Sequence, residues 1–223
     1  MSFSSLQRHA LVYCTPACIW DGAIHAVDAG DVSVIKDWIG QGHPLIARMR
    51  RENDPARHIA LGLPMPLDRG KKRIALTIVP SAVERIEAPP LLHDVLNALS
   101  ASWQSRMTTL SQNFLPHTNS VRVVGSLAWQ ALTGKTYLHP KSDIDLLVSV
   151  LGMNELQAAL DLLIGSDLSP GPRIDGEIVL HNGEAVSWRE LCNSSRDVLV
   201  KTLDGPKACL RGEWLNNFRE RVA

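Results

Sequence analysis

Apolar and polar positions alternate with a period of two in several short stretches of the chain, and this spacing predicts strands. Val121-Arg122-Val123-Val124 reads as a short buried strand. In Ser142-Asp143-Ile144-Asp145-Leu146-Leu147-Val148, Ile144 and Leu146 point into a core while Asp143 and Asp145 share the opposite face. Arg173-Ile174-Asp175-Gly176-Glu177-Ile178-Val179-Leu180 places Asp175 and Glu177 on one face and Ile174, Ile178 and Leu180 on the other. Further strand-like runs cover 11–15, 44–49 and 73–79.

Other segments carry the helical period. The pattern predicts a helix over 32–39 ended by Gly40, and a second over 127–133 with Gly134 as its C-terminal cap. Leu92, Val95, Leu96, Leu99, Trp103 and Leu110 are spaced as the core face of one long amphipathic helix. Asn154-x-x-Gln157 reads as the cap of a helix with Leu156, Leu160 and Leu163 on one side, stopped by Gly165. Ser187-x-x-Glu190 has the form of a capping box opening a helix towards Leu199 and Leu203, broken by Asp204-Gly205-Pro206.

Glu87-Ala88-Pro89-Pro90 marks a boundary. The expected organisation is a smaller N-terminal α+β domain over residues 1–88 and a second domain over residues 91–223. The fold class is α/β (α+β), with a small mixed sheet and flanking helices in the second part. Neither an internal repeat nor a low-complexity tract is present.

The candidate chemistry lies in that second part. Two carboxylates two residues apart on a strand, about 7 Å from one another, can bridge a pair of divalent cations of the kind that in-line transfer at a phosphate uses. About 17 residues upstream, the strand at 121–124 runs directly into Gly125-Ser126 and a helix. A glycine there lets the backbone approach a ligand closely, and the N–H groups opening the helix, with the Ser126 hydroxyl, suit a phosphate oxygen. Gly134-Lys135-Thr136 ends like a P-loop, but the required glycine five positions earlier is Trp129, so a P-loop NTPase is not expected.

Strand, Gly-Ser, helix and a strand bearing Asp-x-Asp resemble the nucleotidyltransferase superfamily typified by DNA polymerase β, over residues 121–150. A fuller resemblance, through Gly125-Ser126-Leu127-Ala128-Trp129-Gln130, Ser142-Asp143-Ile144-Asp145-Leu146-Leu147, Arg173-Ile174-Asp175-Gly176-Glu177 and Val186-Ser187-Trp188-Arg189-Glu190-Leu191, is to the phosphoribosyl-dephospho-CoA transferases of malonate decarboxylase. It extends over most of the chain. The resemblance implies a polymerase-β-like domain and transfer of a prosthetic group from 2′-(5″-triphosphoribosyl)-3′-dephospho-CoA to a serine of an apo acyl-carrier subunit, releasing pyrophosphate. It further implies that Gly125 and Ser126 hold the β- and γ-phosphates and that Asp143 and Asp145 ligate Mg²⁺. The superfamily's third carboxylate, a metal ligand that takes the hydroxyl proton, falls on Asp175, with Glu177 the alternative.

Composition agrees with an enzyme of one or two domains: 223 residues, 45% hydrophobic and 21% charged, with zero formal net charge. No apolar run is long enough to span a membrane, and the N-terminus lacks a signal-peptide pattern, so a cytoplasmic location without membrane association is expected. Cys14, Cys18, Cys192 and Cys209 are too scattered for a metal motif and read as reduced thiols.

The balanced charge hides one uneven stretch. Arg48, Arg50, Arg51, Arg57, Arg69, Lys71, Lys72 and Arg73 face only Glu52, Asp54 and Asp68 between positions 48 and 73. Such a stretch suits either a solvated face or the steering of an acidic carrier or polyphosphorylated cofactor. Nucleic acid is not expected, since no aromatics are interleaved and the whole chain is not basic. Two other functions compete: a small nucleotidyltransferase that uses an NTP to modify another hydroxyl, and a binding module that kept the fold without turnover.

Overall fold

A computed structural model describes residues 6–15, 24–26, 28, 30–118, 120–216 and 218. The chain divides into two compact units. The first comprises Met1–Pro89 together with Lys135–Tyr137 and Leu203–Gly205, and the second Pro90–Gly134, Leu138–Thr202 and Pro206–Ala223.

In the first unit, strands β1 (Leu11–Cys14), β2 (Ile24–Ala26), β3 (Leu45–Ala47), β4 (Ile59–Pro64), β5 (Arg73–Ile78) and β6 (Val83–Glu87) form one antiparallel sheet in the order β2-β5-β4-β3-β1-β6. Helix α1 (Asp31–Gly40) buries Ile35, Trp38 and Ile39, and the Trp38 indole N–H donates to Pro44 O. Val12, Leu45, Leu61, Leu63, Leu76 and Ile78 fill the core beside it. The runs at 11–15, 44–49 and 73–79 and the helix at 32–39 are all present. Strand β4, with four of its six residues buried, is a central strand that alternation does not reveal.

This sheet divides the basic stretch. Strand β4 separates the loop 48–58 from the turn 65–72, so the cations lie at opposite ends of a strand about 20 Å long. Arg48 forms a fork on Asp54 (2.7 and 2.8 Å), Arg50 donates to the carbonyls of His58, Asp54 and Pro55, and Lys72 pairs with Asp31. Arg51 and Arg57 at one end, and Arg69, Lys71 and Arg73 at the other, stay exposed. The excess charge is therefore two small groups rather than one patch.

Asp54 is the keystone of the first loop. It takes the Arg48 fork and also accepts from Arg51 N at 2.7 Å, and these bonds hold its carboxyl below the usual range, the Arg48 hydrogen bond foremost. A depressed folded-state pKa means stability that is present above the unfolded value, about 3.9, and lost as pH falls through the folded value. Asp54→Asn is expected to cost about 2–3 kcal/mol at pH 7. Thermal melts of the two proteins between pH 7 and pH 3 should show the gap closing on acidification; a constant gap would refute the assignment.

In the second unit, strands β7 (Val121–Val124), β8 (Ile144–Ser149), β9 (Ile174–Val179), β10 (Ala185–Ser187), β11 (Asp197–Lys201) and β12 (Pro206–Leu210) form a mixed sheet, ordered β12-β11-β10-β9-β8-β7. Only β8 and β9 pair in parallel among the described strands. Helices α2 (Ala101–Phe114), α3 (Gly125–Thr133), α4 (Met153–Asp167), α5 (Trp188–Cys192) and α6 (Arg211–Asn216) accompany it. Helix α4 forms the crossover between the parallel strands and packs on α2 and β9. One core joins sheet and helices through Met107, Phe114, Val123, Leu127, Ile144, Leu146, Leu163, Ile178, Trp188 and Trp214. This is the expected α+β arrangement.

Three local expectations need correction. The long helix over 92–110 is instead two 3₁₀ turns, Leu92–Asp94 and Leu96–Ala98, followed by α2, because Leu99 and Ser100 are extended (ψ 153° and 152°). Asn154 lies inside α4 rather than capping it. Leu151 N donates to the Glu155 carboxylate at the true start, and the helix passes through Gly165 to Asp167. Helix α5 ends at Cys192: Ser187 makes no side-chain cap bond, Glu190 instead accepts from Leu199 N, and the alternation of buried Val198 and Val200 belongs to β11.

Candidate functional site

The candidate site lies on one row across β7, β8 and β9. Val124 pairs with Asp145, and Asp145 pairs with Asp175. Neighbouring strands are about 4.8 Å apart and in-register residues project to the same side, so Asp145 and Asp175 are cross-strand neighbours. Both are half-buried, between fully buried Ile144 and Leu146 on β8 and beside buried Ile174 on β9.

Gly125 closes the row. Its φ of +65° is a left-handed conformation, and a Cβ there would lie 2.1 Å from Asp145 Oδ2. The carboxylate thus rests against the bare backbone where β7 turns into α3, which only glycine permits. Ser126, half-buried, occupies the first turn of α3, whose opening N–H groups have no intrahelical acceptors. Gly134, at φ +67°, caps the other end as expected.

Asp143 sits one residue ahead of β8, at the end of a pinned loop. Ser142 is buried; its N–H donates to His139 O at 2.8 Å and its hydroxyl accepts from His139 N at 3.1 Å. Ile144 N then donates to Arg173 O at 2.9 Å, tying the entry of β8 to that of β9. Across this junction Arg173 stands 3.6 Å from the Asp143 carboxylate, and both side chains are open to solvent.

Asp175 and Glu177 differ in circumstance. Asp175 stands level with Asp145, and its side chain is 36% exposed. Glu177 pairs with Leu147 further along the strand, is buried, and is bound by Lys201 at 2.9 Å. The ion pair and the burial occupy Glu177, whereas Asp175 remains open. Among the described residues, no group of three His, Cys, Asp or Glu side chains stands close enough to hold a metal ion together.

Arg189, in the first turn of α5, is the residue that sequence patterning passed over. Its guanidinium makes a two-bonded fork on Asp167 (2.9 and 2.8 Å), donates to Ile174 O at 2.8 Å, and lies 4.2 Å above the Trp188 ring. This fork holds the Asp167 carboxyl below its ordinary range and raises Arg189. Asp167 and Arg189 are too far apart in sequence for spacing to connect them. The block Val186-Ser187-Trp188-Arg189-Glu190-Leu191 was the available signal.

A glycine-lined helix entry thus stands beside carboxylates on adjacent strands, and comparison with known proteins places the chain among the transferases. A model of the phosphoribosyl-dephospho-CoA transferase MdcG C-terminal domain matches residues 91–211, and one of the N-terminal domain matches residues 7–89. The phosphoribosyl-dephospho-CoA transferase of Xanthomonas axonopodis pv. citri (strain 306) is 34% identical over 195 residues, 87% of this chain and 90% of the relative. That of Bradyrhizobium diazoefficiens is 34% identical over 199 residues, 88% of this chain and 87% of its own length. The chain belongs to the phosphoribosyl-dephospho-CoA transferase family. No solved structure matches it. No helix among the described residues is long and apolar enough to cross a membrane.

Proposed function

We propose that this protein transfers the phosphoribosyl-dephospho-CoA group from 2′-(5″-triphosphoribosyl)-3′-dephospho-CoA to a serine of the apo acyl-carrier subunit of malonate decarboxylase, as a Mg²⁺-dependent nucleotidyltransferase. The observation that carries this reading is the row Gly125–Asp145–Asp175, in a chain whose family handles the same group. The serine oxygen forms a bond to the α-phosphorus as the bond to the β-phosphate oxygen breaks, and pyrophosphate departs.

The donor set suits a hard divalent cation, since Asp143, Asp145 and Asp175 offer carboxylate oxygens alone. Asp145 and Asp175, level on adjacent strands, would hold Mg²⁺ with Asp143 completing the set from the entry to β8 once the substrate's phosphate oxygens supply the remaining ligands, and the bound ion would neutralise charge on the attacking and leaving oxygens. Gly125 and Ser126 bind the β- and γ-phosphates through the helix entry. Asp175 accepts the proton of the serine hydroxyl, and exposed Arg173 adds positive charge at the site's mouth. The N-terminal unit grips the carrier or the pantetheine arm, and its exposed Arg69, Lys71 and Arg73 favour acidic partners.

Intact mass of the apo carrier subunit after incubation with the enzyme, Mg²⁺ and the triphosphoribosyl cofactor tests this directly. The expected result is a gain equal to the phosphoribosyl-dephospho-CoA group with stoichiometric pyrophosphate. A carrier of unchanged mass, in a reaction that consumes ATP with another hydroxyl acceptor, would replace the proposal with a general nucleotidyltransferase.

A further inference from the structure

Arg189 has five N–H donors and uses three of them on fixed partners: two on Asp167 at the end of α4, and one on the carbonyl of Ile174, the residue immediately before Asp175. The stacked Trp188 beneath it is buried in the core. The guanidinium therefore cannot rotate without breaking the fork, the backbone bond and the stack together. Of the two that remain, its Nε–H is shielded from solvent, has no hydrogen-bond partner, and lies 3.8 Å from Asp175 Oδ1. A buried donor left open beside a carboxylate is costly unless that carboxylate closes on it. The same Asp175 oxygen accepts from Gly176 N at 2.9 Å, so two N–H groups bear on one side of it.

From this arrangement we infer that Arg189 is the positioning residue of Asp175, an arginine braced by Asp167 and the Ile174 carbonyl that sets where the Asp175 carboxylate points. The inference rests on the role given to Asp175 under the proposed function and adds the device that holds it. The fork, the backbone bond and the stack fix Arg189 in place. It acts through Asp175, and Asp167 acts through Arg189.

Fork geometry and mere charge make opposite demands. Lysine keeps the charge and loses the fork; methionine loses both, and a positive charge removed beside a cation site would by itself tighten cation binding. The test uses full-length Arg189→Lys, Arg189→Met and Asp167→Asn. It measures Mn²⁺ affinity from the free-ion EPR signal, kcat and KM for prosthetic-group transfer, and thermal melting. Partners behind metal ligands typically contribute 10–100-fold, so Arg189→Lys and Asp167→Asn should each lower kcat by about 10–100-fold with KM for the cofactor within about twofold. Mn²⁺ should bind several-fold more weakly to Arg189→Met as well. Tighter Mn²⁺ binding by Arg189→Met, or wild-type kcat in Arg189→Lys, overturns the inference. Should the Arg189 variants melt below assay temperature, Asp167→Asn alone decides: wild-type kcat there also overturns it. Asp175→Asn separates the two failures. Wild-type turnover in that variant sinks the reading of the carboxylates themselves. Loss of turnover there with full activity in Arg189→Lys leaves that reading standing and removes only the role of Arg189.

Discussion

Asp145→Asn is expected to abolish transfer, lowering kcat on the order of 10³-fold or more, while the protein melts close to wild type. The substitution is isosteric, so the side chain still fits against Gly125, where even one added carbon would collide. What disappears is a negative charge at the centre of the row, flanked by the Gly125 backbone at the entry to α3 and by Asp175 on β9. Asp143→Asn should act in the same direction. It lies at the entry to β8 rather than within it, with Arg173 as its neighbour. Single-turnover transfer to the carrier, read by mass, is the measurement; activity within tenfold of wild type for Asp145→Asn would remove the carboxylates from the mechanism.

The second large effect falls on stability. Gly176 lies between Asp175 and Glu177 on β9, at φ +144°, and a Cβ there would stand 2.0 Å from Leu146 O and 2.8 Å from Leu146 C and N. Those atoms are backbone of the neighbouring parallel strand, which cannot swing aside as a side chain can. The unfavourable conformation and the collision each contribute about 1–3 kcal/mol, so Gly176→Ala should lose about 3–5 kcal/mol. For a chain of this length that corresponds to a fall of about 10 °C in melting temperature. A melt within 2 °C of wild type, in a scan resolving shifts of about that size, would show that the strands separate easily. Turnover should fall further than stability does, since Asp145 and Asp175 flank the collision.

Part of the candidate site's geometry was legible because its signals are local. Period-two alternation sets Asp145 between buried Ile144 and Leu146, and a glycine after an apolar strand marks the turn at Gly125; Asp143 falls one residue short of the strand on which alternation places it. The pairing of Asp145 with Asp175 was not legible, because register across a crossover is set by how α4 packs rather than by adjacent residues. The misread helices have definite causes. A 3₁₀ turn repeats every three residues, so the steps from Leu92 to Val95 and from Leu96 to Leu99 fit its spacing as well as that of an α-helix. Ser187-x-x-Glu190 has the form of a box, but the Glu190 carboxylate finds a better donor in Leu199 N on β11. Arg189 eluded spacing for the same reason as the register: both its partners come from elsewhere in the chain.

The crossover through α4 also sets how much chain must close to bring the row together. Strands β9 to β12 follow one another as an antiparallel run whose contacts close over short stretches of chain. Pairing β8 with β9 must instead close a loop that contains all of α4, and long closures carry an entropic cost that slows them. The row that joins Asp145 to Asp175 needs that closure, and the meander does not. That row therefore rests on a longer closure than any pairing within the meander.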